Sequence, residues 1–156
     1  MTADDVIRVL REEVLDAGGR LCGYRFAAQV EETQAVVPWA GREISATLAE
    51  AGVQRIAQRR IAFVPVAPSV LVADALPEIS APNTVLTLNR CDLANADREA
   101  LVAGAVRLKA SGFQIGLEGI DANGGTEELE RLADWRIADL RTSPMTAVEA
   151  YARAPE

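Results

Sequence analysis

The chemistry open to this chain is set first by a residue it lacks: none of its 156 residues is histidine. That excludes Ser-His-Asp and Cys-His nucleophiles, an imidazole acid or base, and the usual zinc sites with a histidine ligand. Carboxylates, lysine, arginine and two cysteines remain. Cys22 and Cys91 lie far apart with no CxxC spacing, so they read as separate buried or half-buried thiols in a reducing compartment. Gly116, Gly119, Gly124 and Gly125 match neither the P-loop nor the dinucleotide-binding spacing, and they read as a plain loop. Arg55, Arg59 and Arg60 suit the negative pole of a helix end. Trp39 and Trp135 read as packing anchors, although an exposed tryptophan would mark a contact surface.

What positions such residues follows from composition and periodicity. A chain of this length, 49% apolar and 25% charged, fits a single globular domain over 1–156. With 16 basic against 23 acidic residues its formal charge is −7, which repels a phosphate backbone and argues against nucleic acid as a partner. The start, Met1-Thr-Ala-Asp-Asp5, is acidic where a signal peptide would be basic. No apolar run approaches the roughly 20 residues that span a bilayer. The expected setting is cytoplasmic, without membrane contact.

From residue 61 onward, short apolar runs alternate with helical patterns. Ile61–Val66, Thr84–Leu88, Phe113–Leu117 and Trp135–Leu140 read as strands, with Pro65 weakening the first. Helices are predicted over Ala40–Gln58, Ser69–Ala75, Asn95–Gly112, Thr126–Ala133 and Met145–Arg153. In the third of these Leu101, Val102, Ala105, Val106 and Leu108 form the apolar stripe, Asn95 or Asp97 caps the start and Gly112 supplies a left-handed stop. The alternation points to parallel strands joined by helical crossovers. The N-terminus is ambiguous: Val6, Leu10 and Val14 are spaced for a helix, whereas Asp16-Ala-Gly-Gly19 before Leu21–Phe26 suggests a β-hairpin.

In this order the segments resemble the EAL phosphodiesterase family, in the variant joined to HDOD domains of bacterial signalling proteins. Arg11-Glu-Glu-Val-Leu-Asp16, Gly18-Gly19 and Gly23-Tyr-Arg-Phe-Ala-Ala-Gln29 are similar to the family's opening hairpin, and the resemblance tips that region to a hairpin. Phe63-Val-Pro65, Leu76–Thr87, Leu108–Ile120 and Ala133–Leu140 resemble its later motifs. The resemblance implies an α/β, TIM-barrel-like fold with its first strand antiparallel. It also implies a site at the strands' carboxyl ends, where enzymes of the family hydrolyse cyclic di-GMP with Mg²⁺ or Mn²⁺ held by acidic side chains.

At those positions the chain departs from the family. Arg25 replaces the signature glutamate, Pro65 an asparagine, Thr87 a second glutamate, Glu118-Gly119 an aspartate pair, Ile137 a lysine and Gln29 an arginine. Only Glu118 and Asp139 keep carboxylates, as a residual metal pair or as strand-end groups satisfied by backbone or by Arg136 or Arg141, and Arg25 reads either as a contact for an anion or nucleotide phosphate or as a surface or salt-bridged arginine balancing Glu12, Glu13 or Glu118. The family's last two strands have no counterpart, leaving an incomplete barrel of about six strands with two open edges. The expectation is an inactive, regulatory domain with no cofactor and no metal, engaging a protein partner or a second copy through its sheet edges. The alternative is a receptor that binds a cyclic dinucleotide without cleaving it, with Arg25, Arg90, Glu118 and Arg141 as contacts. A third possibility is an unrelated, flavodoxin-like α/β domain.

Overall fold

The computed structural model describes residues 7–30, 36–39, 47–50, 52–73, 78–120, 127–141 and 143–153. Seven strands form one sheet: β1 (Ile7–Leu15), β2 (Leu21–Val30), β3 (Val36–Val37), β4 (Ile61–Pro65), β5 (Thr84–Asn89), β6 (Gln114–Glu118) and β7 (Trp135–Ile137). Their order is β1-β2-β4-β5-β6-β7, with the two-residue β3 added beside β2. β1 and β2 form the antiparallel hairpin, and every pairing from β2 through β4 to β7 is parallel. The helices are α1 (Val53–Ile56), α2 (Pro68–Val72), α3 (Arg98–Ala110), α4 (Glu127–Leu132) and α5 (Met145–Arg153), with a 3₁₀ turn at Arg90–Leu93.

The hairpin forms because a spacing of four residues is even, so Leu10 and Val14 share a face of a strand as well as of a helix. Asp16 then fixes the turn. Its carboxylate accepts the N–H groups of Gly18 at 2.8 Å and Arg20 at 2.9 Å, and Gly19 takes a left-handed φ of 76°. The backbone N–H of Arg20 on that carboxylate holds its pKa below the ordinary aspartate value.

Pro65 ends β4 without breaking the ladder. The Val66 N–H turns to β5 and bonds the Thr87 carbonyl at 2.8 Å, so the Pro65 nitrogen faces the side where β2 has already left the pairing. Its carbonyl accepts the Trp39 N–H at 2.9 Å.

The sheet curls into an open half-barrel. On its convex face, Tyr24, Phe26, Ala62, Val64, Leu86, Leu88, Ile115 and Leu117 join the core with Leu71 of α2, Leu101, Ala105 and Leu108 of α3 and Leu129 of α4. Asp97 caps α3 by accepting the Ala100 N–H at 3.2 Å, and Gly112 follows its end with a φ of 92°. α3 crosses α2 so closely that a Cβ on Gly104 would lie 1.8 Å from the Leu71 carbonyl oxygen. Val106, expected in the buried stripe, is instead 51% exposed, because Leu101, Ala105 and Leu108 take the inward column and Val106 falls one column over.

Other elements are shorter than the sequence suggested. Trp135–Leu140 keeps strand geometry only over Trp135–Ile137, beyond which Asp139 and Arg141 close on each other, and the helix expected from Ser69 occupies Pro68–Val72. Of Ala40–Gln58, residues 47–50 and α1 are helical, while 40–46 lie outside the described residues, as do Gly124 and Gly125. No described helix is long and apolar enough to cross a membrane.

Candidate functional site

Alternation along each strand turns a second set of side chains to the concave face: Gly23 and Arg25, Phe63 and Pro65, Val85 and Thr87, Gly116 and Glu118, then Trp135 and Ile137. The lower part of this face is packed shut. Phe63 meets Trp135 edge-on with ring centroids 5.2 Å apart, although their strands are separated by β5 and β6. Gly23 makes room for this stack, since a Cβ there would approach Phe63 to 2.9 Å. Gly116 does the same for Thr87 and Val85. Both tryptophans are therefore packing residues; Trp39 is buried and donates from Nε1 to the Phe26 carbonyl at 3.2 Å.

Above that layer the face becomes polar. Arg25 of β2 grips Glu118 of β6 with two parallel hydrogen bonds, Nε to Oε1 at 2.9 Å and Nη2 to Oε2 at 3.0 Å. On a flat sheet these strands would stand about 14 Å apart, so the curl is what joins them. Thr87 adds a hydroxyl donated to Glu118 Oε1 at 2.6 Å. The third nitrogen of Arg25 reaches Glu12 of β1 at 3.0 Å. Arg141 then binds the other Glu12 oxygen at 2.8 Å and holds Asp139 with Nε and Nη2 at 3.0 and 2.9 Å.

One chain of charge-assisted hydrogen bonds thus runs from Thr87 through Glu118, Arg25, Glu12 and Arg141 to Asp139. It links β5, β6, β2, β1 and the exit of β7. Burial opposes charge on the Arg25 guanidinium, and the hydrogen bonds and charges of Glu118 and Glu12 outweigh it, leaving its pKa above the ordinary value. Hydrogen bonding from Arg141 holds the Asp139 carboxyl below its ordinary value, and the same contact raises Arg141.

Arg90 stands apart from this chain. Its side chain is buried, donating from Nε to the Gly119 carbonyl at 2.8 Å and from Nη1 to Glu130 of α4, which also pairs with Arg136. Arg25, Arg90, Glu118 and Arg141 nevertheless all line one cleft of about 800 Å³ at the carboxyl ends of the strands. Each arginine already donates to a carboxylate, so an anionic ligand would have to displace one.

Of the thiols, Cys22 is half-buried and donates to the Val14 carbonyl at 3.1 Å, with burial raising its pKa. Cys91, expected to be buried or half-buried, is exposed at the cleft because the 3₁₀ turn after β5 lifts it off the sheet. Among the Arg55, Arg59 and Arg60 run, Arg60 is tied down, donating to the Leu21 carbonyl at 2.8 Å.

Sequence reasoning offered Glu12 as a partner of Arg25 but missed its second contact, to Arg141, and missed Thr87 as the hydroxyl that finishes Glu118. The period-two pattern Arg11-Glu12-Glu13 against Tyr24-Arg25-Phe26 carried part of the signal, since it sets Glu12 directly opposite Arg25 in the hairpin. Among the described residues no cluster of three or more His, Cys, Asp or Glu side chains is placed to hold a metal ion. No family model, curated protein or solved structure matches this chain.

Proposed function

We propose that this chain is a degenerate EAL-like half-barrel that acts without catalysis, as a protein-interaction domain in bacterial signalling. The observation that carries this reading is the state of Glu118. Of the acidic positions where the family resemblance would put metal ligands, it is the one in the concave layer that keeps a carboxylate. Both of its oxygens accept from Arg25, and Oε1 also accepts from Thr87. A carboxylate so engaged has its charge neutralised by the guanidinium and most of its lone pairs occupied, leaving little with which to hold a divalent cation.

The half-barrel curl, the N-terminal hairpin and the position of the cleft are what a TIM-like EAL domain short of strands would have. The second reading, a receptor for a cyclic dinucleotide, draws on the cleft itself, which Arg25, Arg90, Glu118 and Arg141 all line. Against it, the cleft presents four acidic side chains, Glu12, Glu13, Glu118 and Asp139, and its three arginines are already paired.

Incubation with cyclic di-GMP and Mg²⁺ or Mn²⁺, followed by chromatography of the nucleotides, should give no linear product. Product that disappears in an Arg25→Ala or Glu118→Gln variant would overturn the non-catalytic reading. Calorimetry with cyclic di-GMP separates the alternatives: saturable binding lost in Arg25→Ala favours the receptor, and no heat favours the interaction domain.

A further inference from the structure

We infer that Arg141 is a releasable latch: it ties the chain leading into α5 across the mouth of the cleft to the N-terminal hairpin, and its release lets α5 swing off the concave face. This conformational device goes beyond the protein-interaction reading and does not rest on it.

The latched segment begins where the sheet stops. Glu118 pairs with Ile137, and the Gly119 N–H bonds the Ile137 carbonyl at 2.9 Å, closing the β6–β7 ladder. From there the chain folds on itself. Asp139 accepts the Arg141 N–H through its carboxylate and the Ser143 N–H through its carbonyl, each at 2.9 Å, and α5 starts from the Pro144 carbonyl, which accepts the Ala147 N–H at 3.0 Å. Arg141 Nη1 leaves this local set and crosses to Glu12 of β1 at 2.8 Å, a contact between residues 129 positions apart and from opposite ends of the sheet.

Two observations make the tie releasable. Along the ionic chain, side-chain exposure rises from 13% at Glu118 through 21% at Arg25 and 30% at Glu12 to 69% at Arg141. Water and salt weaken the exposed pair most, so the chain parts first at its Arg141 end. Glu12 keeps Arg25 on its other oxygen, and the inner layer survives the parting. The seat beneath α5 is also shallow. Pro144 and Ala147 line the cleft, Val148 is half-buried, and the larger Leu140 and Met145 are each 59% exposed. Little apolar area holds this helix down, in contrast to α3, whose Leu101, Ala105 and Leu108 are buried. With the latch open, the cleft loses the wall that Pro144 and Ala147 supply, so access to the Arg25–Glu118 layer rises with ionic strength.

Amide hydrogen exchange of the full chain, read by mass spectrometry, tests the latch, with β5 as internal reference. Arg141→Gln should speed exchange in α5 about two- to fivefold, the factor an exposed ion pair supplies, and leave Thr84–Asn89 unchanged. Glu12→Ala should give α5 a similar acceleration although it lies in β1, and so should 1 M sodium chloride on the unmodified chain, which needs no variant to fold. Asp139→Asn should have a smaller effect, since it leaves the Glu12 oxygens to Arg141. Arg20→Gln removes the exposed Arg20–Asp16 pair at the hairpin turn and should leave α5 as it was.

Unchanged α5 exchange in Arg141→Gln or Glu12→Ala would overturn the inference, because Arg141 would then act only within its own turn. So would equal acceleration of α5 and β5, which reports general loosening, or α5 amides that exchange at the unfolded rate in the unmodified chain. None of these outcomes bears on cyclic di-GMP turnover or binding, so the latch and the non-catalytic reading fail separately.

Discussion

The two faces of the curled sheet solve the same problem by different physics. The convex face buries Val64, Leu86, Leu88, Ile115 and Leu117 under helices, and its side chains need nothing from one another beyond contact and shape. The concave face is not covered by α2, α3 and α4; among the described helices α5 reaches its upper end, where Ala147 lines the cleft. That face is filled from below by Phe63 and Trp135 and closed above by a chain of ionic hydrogen bonds in which each charge is tolerated because its neighbour is present. One face is therefore robust to any apolar residue of the right size, while the other stands or falls by pairs. On the upper concave face the charged groups lie at an open cleft, and they satisfy each other.

The largest effect is expected on the convex side. Leu86→Ala removes a fully buried side chain between β4, β6 and the helices and should cost about 3 kcal/mol, within the usual range for a core leucine. Urea unfolding reads this directly; a loss below about 1 kcal/mol would mean that the helices collapse onto the vacancy and that this face is less tightly packed than its burial indicates.

Next comes the pair at the centre of the concave face. Arg25→Met should cost roughly 2–3 kcal/mol, because it strands the Glu118 carboxylate, whose side chain is only 13% exposed, and frees Glu12 as well. Arg25→Met combined with Glu118→Met should recover most of that loss, since removing both partners also removes the need to desolvate them. Leu86→Ala has no such rescuing partner. If the double variant is as unstable as the single one, the concave layer is held by packing rather than by charge compensation, and the contrast between the faces collapses.

This contrast also explains what could be read from the sequence. The apolar runs Ile61–Val66, Thr84–Leu88 and Phe113–Leu117 mark strands β4, β5 and β6 because half of each run is convex core and must be apolar whatever the concave face does. The hairpin was ambiguous because the spacing of Leu10 and Val14 fits both periods; its turn chemistry at Asp16–Gly19 is what distinguishes them. At the site, residue identities are legible and pairings only as alternatives: charge offers Glu12, Glu13 or Glu118 to Arg25 and Arg141 to Asp139, and the structure selects Glu12 with Glu118 and the Asp139–Arg141 pair. Arg25 and Glu118 are 93 positions apart, and only the curl of the sheet, which no local pattern encodes, brings them into a two-pronged contact. Arg90 reads as a further ligand contact beside Arg25 and Arg141, yet the turn after β5 sends it to Glu130 on α4. Val106 and Cys91 were misplaced for a similar reason: a stripe one column wide and a single 3₁₀ turn lie below what periodicity resolves.

The smallest effect tests whether the rim of the concave network contributes at all. Arg141 is 69% exposed, so its contacts to Asp139 and Glu12 are screened and together should be worth less than about 1 kcal/mol. The sign with pH is fixed by Asp139, whose folded-state pKa is depressed by Arg141. Its contribution is complete above the ordinary carboxylate pKa and is lost as pH falls through the lower, folded-state value. Between pH 7 and pH 5 the difference in stability between the unmodified chain and Asp139→Asn should stay constant. Below about pH 4 the two should converge, by a few tenths of a kcal/mol. Arg141→Gln should lose slightly more than Asp139→Asn does, because it removes the contact to Glu12 as well as the one to Asp139. Convergence that persists in 1 M salt, where exposed pairs are screened out, would mean that the rim pair is more deeply desolvated than its exposure implies and belongs with the Arg25–Glu118 layer rather than outside it.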